Sequence, residues 1–169
     1  DYEAAITDFD SVLKQKPAEL PPLVGLRALM GRGTAKKLLK DFDGAEADFT
    51  VVLELDPNHT PAMIGRGEVR LASGDYDGAI TDLQEAHDLA APEAKELLMK
   101  AHRKRAEVRI TSKDYPGAID DLNAALALDP TLDKEINPLL AIAHALYGKE
   151  LFDNKDFKNA LEHLNKVVI

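Results

Sequence analysis

Three arginines and three aspartates keep a constant separation along the chain. Arg32 and Asp48, Arg66 and Asp82, and Arg105 and Asp121 are each sixteen positions apart. A guanidinium is a planar fork of N–H donors that matches a carboxylate two bonds at a time. The chemistry offered here is therefore charge-assisted pairing. At the fourth corresponding place both members change together, the arginine to Tyr147 and the aspartate to His163. A paired change implies contact within one structural unit. The expected role is structural, with more gained in orientation than in stability, because both charges must leave water.

A second concentration of charge, Lys100, Arg103, Lys104, Arg105 and Arg109, lies within ten residues. It reads either as a solvated basic face, with Glu93, Glu96 and Glu107 as counter-ions, or as a site for an acidic peptide. Other chemistry is scarce. The chain has no cysteine, which excludes disulfides, thiolate nucleophiles and Cys-ligated zinc. His59, His87, His102, His144 and His163 show no HxxxH spacing and read as packing or surface residues. Ser11, Ser73 and Ser112 have no nucleophile-elbow context, no phosphate-binding GxxxxGK[ST] loop occurs, and neighbouring Asp120 and Asp121 point in different directions on a helix. No catalytic residue, metal site or cofactor is expected. Asn58-His59-Thr60 is formally a glycosylation sequon, but it falls at a turn before Pro61 and implies no secretion.

The elements that must position these residues come from repetition. DFDGAEADFTVVLELDP (41–57) recurs as DYDGAITDLQEAHDLAA (75–91), as DYPGAIDDLNAALALDP (114–130) and, more loosely, as DFKNALEHLNKVVI (156–169); the chain opens with DYEAAITDFDSVLKQKP (1–17). Each copy places an aromatic residue (Tyr2, Phe42, Tyr76, Tyr115, Phe157), an alanine three later (Ala5, Ala45, Ala79, Ala118, Ala160), then Phe or Leu four later and Val or Ala three beyond that. Steps of three and four define one face of a helix. Pro17, Pro57 and Pro130 end their helices, since proline cannot continue the hydrogen-bond ladder. Twelve residues before the alanines stand Gly33, Gly67, Ala106 and Gly148, markers of a first helix packed closely on the second. The expected helices span 2–15, 22–40, 43–55, 60–73, 76–89, 93–112, 115–128, 136–154 and 157–169.

Equivalent alanines are 40, 34, 39 and 42 residues apart. A 34-residue helical hairpin is the period of the tetratricopeptide repeat, and the chain resembles that family over nearly its whole length. It departs from the pattern at Arg32, Arg66 and Arg105, where a large apolar residue usually precedes the glycine. The resemblance implies an all-α fold, a right-handed superhelical solenoid of antiparallel helix pairs. Its repeats would occupy 1–17 (a second helix alone), 22–57, 60–91, 93–130 (with a longer first helix) and 136–169. The extra residues fall around 17–22, 90–95 and 131–137, and lengthen the first helices or their connections. The missing first partner and the apolar finish at Lys166-Val167-Val168-Ile169 suggest a segment of a longer array, because repeat arrays normally close with a polar cap.

The resemblance also implies a function: a non-catalytic scaffold that binds a peptide or helix of partner proteins within a larger assembly. First helices line the concave groove of such arrays, which nominates Arg27, Lys37, Glu68, Lys100, Arg103, Lys104, Glu107 and Lys149 as partner-facing residues. Some members clamp the acidic tails of heat-shock chaperones with Lys and Asn. Here Lys100 and Lys104 match two clamp positions, but Met30, Thr34 and Gly65 replace the other three, so that clamp is rejected. The partner is a protein or peptide, acidic if it meets the basic cluster. A substrate-recruiting appendage of an enzyme or co-chaperone is the alternative. A net charge of −9 argues against nucleic acid, and an RNA-reading helical repeat ranks last. No apolar run approaches the ~20 residues of a membrane span. The expected location is cytoplasmic, with cytoskeletal or ciliary assemblies included.

Overall fold

The computed structural model describes residues 1–14 and 21–167. Pro17 and most of the first inter-repeat stretch lie outside the described residues, as do Val168 and Ile169. Among the described residues there is no strand. The helices are α1 (Tyr2–Leu13), α2 (Pro22–Leu38), α3 (Phe42–Leu55), α4 (Thr60–Ser73), α5 (Tyr76–Asp88), α6 (Glu93–Thr111), α7 (Tyr115–Leu128), α8 (Asp133–Asp153) and α9 (Phe157–Asn165), with a 3-10 turn at Pro130–Leu132. Contacts divide the chain into two compact units, Asp1–Leu97 and Leu98–Ile169.

One local design closes every hairpin. The first helix ends on a left-handed residue: Lys40, Gly74, Lys113 or Lys155. The next N–H then reaches back to the helix, from Asp41 to the Lys36 carbonyl and likewise from Asp75 to Arg70, Asp114 to Arg109 and Asp156 to Leu151, at 2.8–2.9 Å. This six-to-one bond satisfies a carbonyl that the helix end would orphan. The same aspartate immediately caps the second helix, accepting the N–H of Gly44, Gly78, Gly117 or Asn159 at 3.0–3.3 Å. The recurrent Asp-aromatic start of each copy is thus a stop and a start in consecutive residues.

In the first unit α1 packs on α2, α2 on α3, α3 on α4 and α4 on α5. Its core comprises Leu29, Val52 and Ala62, together with Ala45, Phe49 and Val69. In the second unit Ala106, Ala118, Leu122, Ala125 and Ile136 form the core, with Leu139 and Leu140 packed against it. Ala45, Ala79 and Ala118 are all 0% exposed, as the helical-face reading requires.

The proline stops act where the sequence puts them. Asp56 and Asp129, each preceding a proline, are extended, the conformation that a following proline imposes. The start of α8 differs from the expected 136. It begins at Asp133, directly after the 3-10 turn, and keeps Pro138 inside the helix. Burial of Ile136 against the second unit's core holds this extra turn in place. The added residues of this repeat therefore lengthen its first helix.

Candidate protein-interaction surface

Between α2 and α4 of the first unit lies an open cleft of about 470 Å³. Met30, Ile64 and the edge of Phe49 line its apolar part, and Thr34, Lys37, Thr60, Glu68 and Glu93 its polar part. Gly65 is what lets Phe49, a residue of α3, reach the cleft. A methyl group at Gly65 would stand 2.8 Å from the ring, closer than carbon atoms pack. Lys37 and Glu68 form an ion pair across the cleft, from α2 to α4. Both are partly exposed, so the pair contributes little to stability and fixes the spacing of polar groups on that face. Arg27, on the same helix, is exposed and has no charged partner among the described residues.

The sixteen-residue pairs meet as buried clusters. Arg66 donates from Nε and Nη2 to the two carboxylate oxygens of Asp82 at 2.8 and 2.7 Å. Arg105 holds Asp121 in the same fork, and Arg32 holds Asp48. The three carboxylates are buried, with 2–4% of the side chain exposed. Each also receives a second cation from one turn further along the first helix: Lys36 at 2.9 Å on Asp48, Arg70 at 2.9 Å on Asp82, and Arg109 at 2.8 Å on Asp121. That second cation donates in addition to the carbonyl of Gly44, Gly78 or Gly117 in the first turn of the second helix. The clusters extend beyond the single hairpin that the sequence suggests. Arg32 bonds Asp10 of α1 at 2.6 Å, Arg66 reaches Thr50 of α3, and Arg70 bonds Glu46 of α3.

Electrostatics follow this geometry. The hydrogen bond to Asp48 raises the Arg32 pKa, against the opposing effect of burial, and Asp82 does the same for Arg66. Burial pushes the Asp121 carboxyl up. The hydrogen bonds from His102 and Arg105 and the nearby charges of Arg105 and Arg109 outweigh it and bring the carboxyl down to about 2.

The basic run on α6 is mostly neutralised. Arg105 and Arg109 are spent on Asp121. Arg103 pairs with Glu135 of α8 at 2.9 Å and lies 4.0 Å from Glu107, while Lys104 bonds Glu107 at 2.7 Å. Lys100 alone of the five is exposed with no charged partner among the described residues; Lys149 of α8 is in the same condition.

Two contacts escaped the sequence reading. His102 is buried and its Nδ1 lies 2.9 Å from Asp121. At the matching place on α8, His144 meets His163, Nδ1 to Nδ1, at 2.9 Å. The second cations had a legible signal: Lys36, Arg70 and Arg109 each stand four residues after the pairing arginine, and Leu151 replaces them where Tyr147 replaces arginine. The histidines had one too, since Leu29, Met63, His102 and His144 occupy one position of the repeat.

Comparison with known proteins agrees with this arrangement. A family model described as the tetratricopeptide repeat matches residues 39–95 and again 64–133. The chain belongs to the tetratricopeptide repeat family. Among solved structures it is similar to a MamA RS-1 double mutant, at 25% identity over 99% of this chain and 83% of that one, with a TM-score of 0.58. It is similar also to residues 41 to the end of MamA from Desulfovibrio magneticus RS-1, at 26% identity over 98% and 83%, with a TM-score of 0.56. A tetratricopeptide repeat protein from Parabacteroides merdae, 15% identical over 98% and 71% of the two chains with a TM-score of 0.56, shares the fold. Tetratricopeptide repeats and these neighbours make the chain a protein-interaction scaffold. Among the described residues no helix is long and apolar enough to cross a membrane, and no three His, Cys, Asp or Glu side chains gather as a metal site.

Proposed function

We propose that the α2–α4 cleft is where the scaffold grips a partner, by taking an apolar side chain from a peptide or helix of another protein within a larger assembly. The observation that supports this reading is the combination in one open cleft of an apolar floor, Met30, Ile64 and Phe49, with polar groups held at fixed spacing by the Lys37–Glu68 pair. Apolar anchors in pockets carry most of the affinity of protein contacts, and surrounding polar groups set orientation. Glu93 adds a negative charge to the lining of the cleft. Lys100 supports a second reading, an acidic segment meeting α6, because it is the cation of that run left exposed without a charged partner among the described residues. An enzyme or co-chaperone using this chain as a recruiting appendage would grip its clients in the same way.

Site-specific photocrosslinking tests both readings. A crosslinker at Ile64, another at Lys100 and a control at the exposed Thr81 of α5 are placed in the chain inside its native cells. A discrete protein adduct from Ile64, weakened by Met30→Lys, supports the cleft. An adduct from Lys100 alone, weakened by Lys100→Glu, supports the acidic segment. Adducts from neither, or equally from Thr81, overturn the proposal.

A further inference from the structure

We infer that the hairpin of α8 and α9 is an acid-released latch, closed by the hydrogen bond between His144 and His163 and opened when both imidazoles carry a proton at the facing nitrogens. Nδ1 of His144 and Nδ1 of His163 are 2.9 Å apart and the ring centroids 5.1 Å apart. The two nitrogens thus face each other along the line joining the rings. A hydrogen bond in that geometry needs one Nδ1 bearing a proton and the other a lone pair. A neutral pair meets the requirement. A singly charged pair also meets it, with the extra proton on an outer nitrogen. A doubly charged pair does not, because two N–H groups then point at each other between two positive rings.

The surroundings favour the closed, uncharged state. Burial lowers the pKa of His144, and the charges of His163 and Lys166 act in the same direction. Burial and Lys166 likewise lower that of His163, while Glu162 opposes them. Glu162 of α9 and Lys166, which caps its C-terminal end, bond each other. From α8, Tyr147 stands edge-on to His163 with centroids 4.5 Å apart. From α7, Tyr115 touches Tyr147 and brings a phenol. No carboxylate bonds either imidazole among the described residues, in contrast to His102, which has Asp121 as its partner. The latch holds α9 against α8, beside the edge-on contact of Phe152 and Phe157. α9 has nine residues, and Ala160 is its one buried side chain among the described residues. Leu164 lies where a methyl group on Gly148 would stand 2.7 Å from it, and it remains 40% exposed. Release of α9 would uncover Leu164 and the Gly148 surface of α8.

The sign is fixed by linkage. A base whose folded pKa lies below its unfolded value contributes stability that is complete above the unfolded value, ~6.5 for His, and is lost as pH falls below it. The measurement is hydrogen–deuterium exchange of the intact chain from pH 7.5 to 5, with rates corrected for the intrinsic effect of pH. Protection of 157–165 is expected to fall by up to about tenfold per pH unit for each proton taken up on opening, while protection of 76–88 in α5 stays level. Protection in α9 that follows α5 across this range overturns the inference. His163→Asp places a carboxylate against His144, as in the His102–Asp121 contact, and is expected to abolish the loss of protection down to pH 5. Should that variant disturb the hairpin at every pH, NMR titration of the imidazoles in the unaltered chain decides the matter. Two coupled steps below 6.5 support the latch, and two independent steps at the ordinary value overturn it.

Discussion

Where α4 meets α5, the Asp82 carboxylate sits between Arg66 and Arg70, and both arginines reach on to α3. At the corresponding place on α8 and α9, His163 meets His144 and the edge of Tyr147, and no ion pair crosses from helix to helix among the described residues. Both arrangements fill one position in the same type of hairpin, yet they respond to opposite conditions. The first is held by charges that persist across the physiological range; the second depends on charge staying away. The lesson concerns specificity more than strength. A guanidinium fork and its carboxylate define one rotation and one height of helix on helix, whereas facing imidazoles define a contact and leave its persistence to the proton concentration.

The largest expected effect breaks the charged side of this contrast. Asp82→Ala leaves Arg66 partly buried without its carboxylate and Arg70 with Glu46 alone at bonding distance, and should cost about 3–5 kcal/mol in urea denaturation, as removal of one member of a buried pair does. His163→Ala, assayed the same way, should cost only about 1–2 kcal/mol, the loss of one hydrogen bond and some packing. Equal costs would erase the distinction between the two hairpins.

Acid should separate them next. Asp121 is held at about 2, below its unfolded value, so its contribution is complete above ~3.9 and is lost as pH falls toward 2. Circular dichroism and exchange between pH 4 and 2 should show α6 and α7 loosening in that window. A transition of α7 centred above pH 4 would contradict the assignment. A smaller effect tests the turn design, which uses Gly74 between α4 and α5 but lysine in the two later hairpins. Lys113 and Lys155 have φ of 68° and 65°, where a side chain costs energy that glycine avoids. Lys113→Gly and Lys155→Gly should each raise thermal stability by up to about 1 kcal/mol, less the added freedom of the unfolded chain. Smallest of all, Lys37→Ala should change stability by less than about 1 kcal/mol, since its pair with Glu68 is partly solvated, and should act on partner binding instead.

The helices, their order and the pairing of Arg32, Arg66 and Arg105 with their aspartates were legible because repetition supplies several independent readings of one position. The joint replacement by Tyr147 and His163 made contact visible without coordinates. The basic run was harder. Charge counted along α6 shows five cations; Asp121 and Glu107 were legible as counter-ions of the run, but only the fold adds Glu135 against Arg103 and Asp114 and Asp121 against Arg109. Glu135 is thirty-two residues from Arg103, beyond what spacing within a hairpin can suggest. The early start of α8 was hidden for a related reason: the extra residues at 131–137 read equally as helix or connection, and the burial of Ile136 that decides between them is a tertiary fact.

The turn made of a left-handed residue and a capping aspartate, together with the cation that reaches from one helix to the opening carbonyl of the next, has a consequence for how such a chain can change. Within each hairpin the count from small residue to alanine is always twelve, while the interval from hairpin to hairpin ranges from 34 to 42. Lengthening inside a hairpin would slide guanidinium past carboxylate and undo several bonds at once. Lengthening between hairpins merely adds a turn to a first helix, as α8 illustrates. The joints after Asp56 and Asp129 are therefore where foreign residues could be spliced in with least harm, and where relatives of this chain are free to diverge in length.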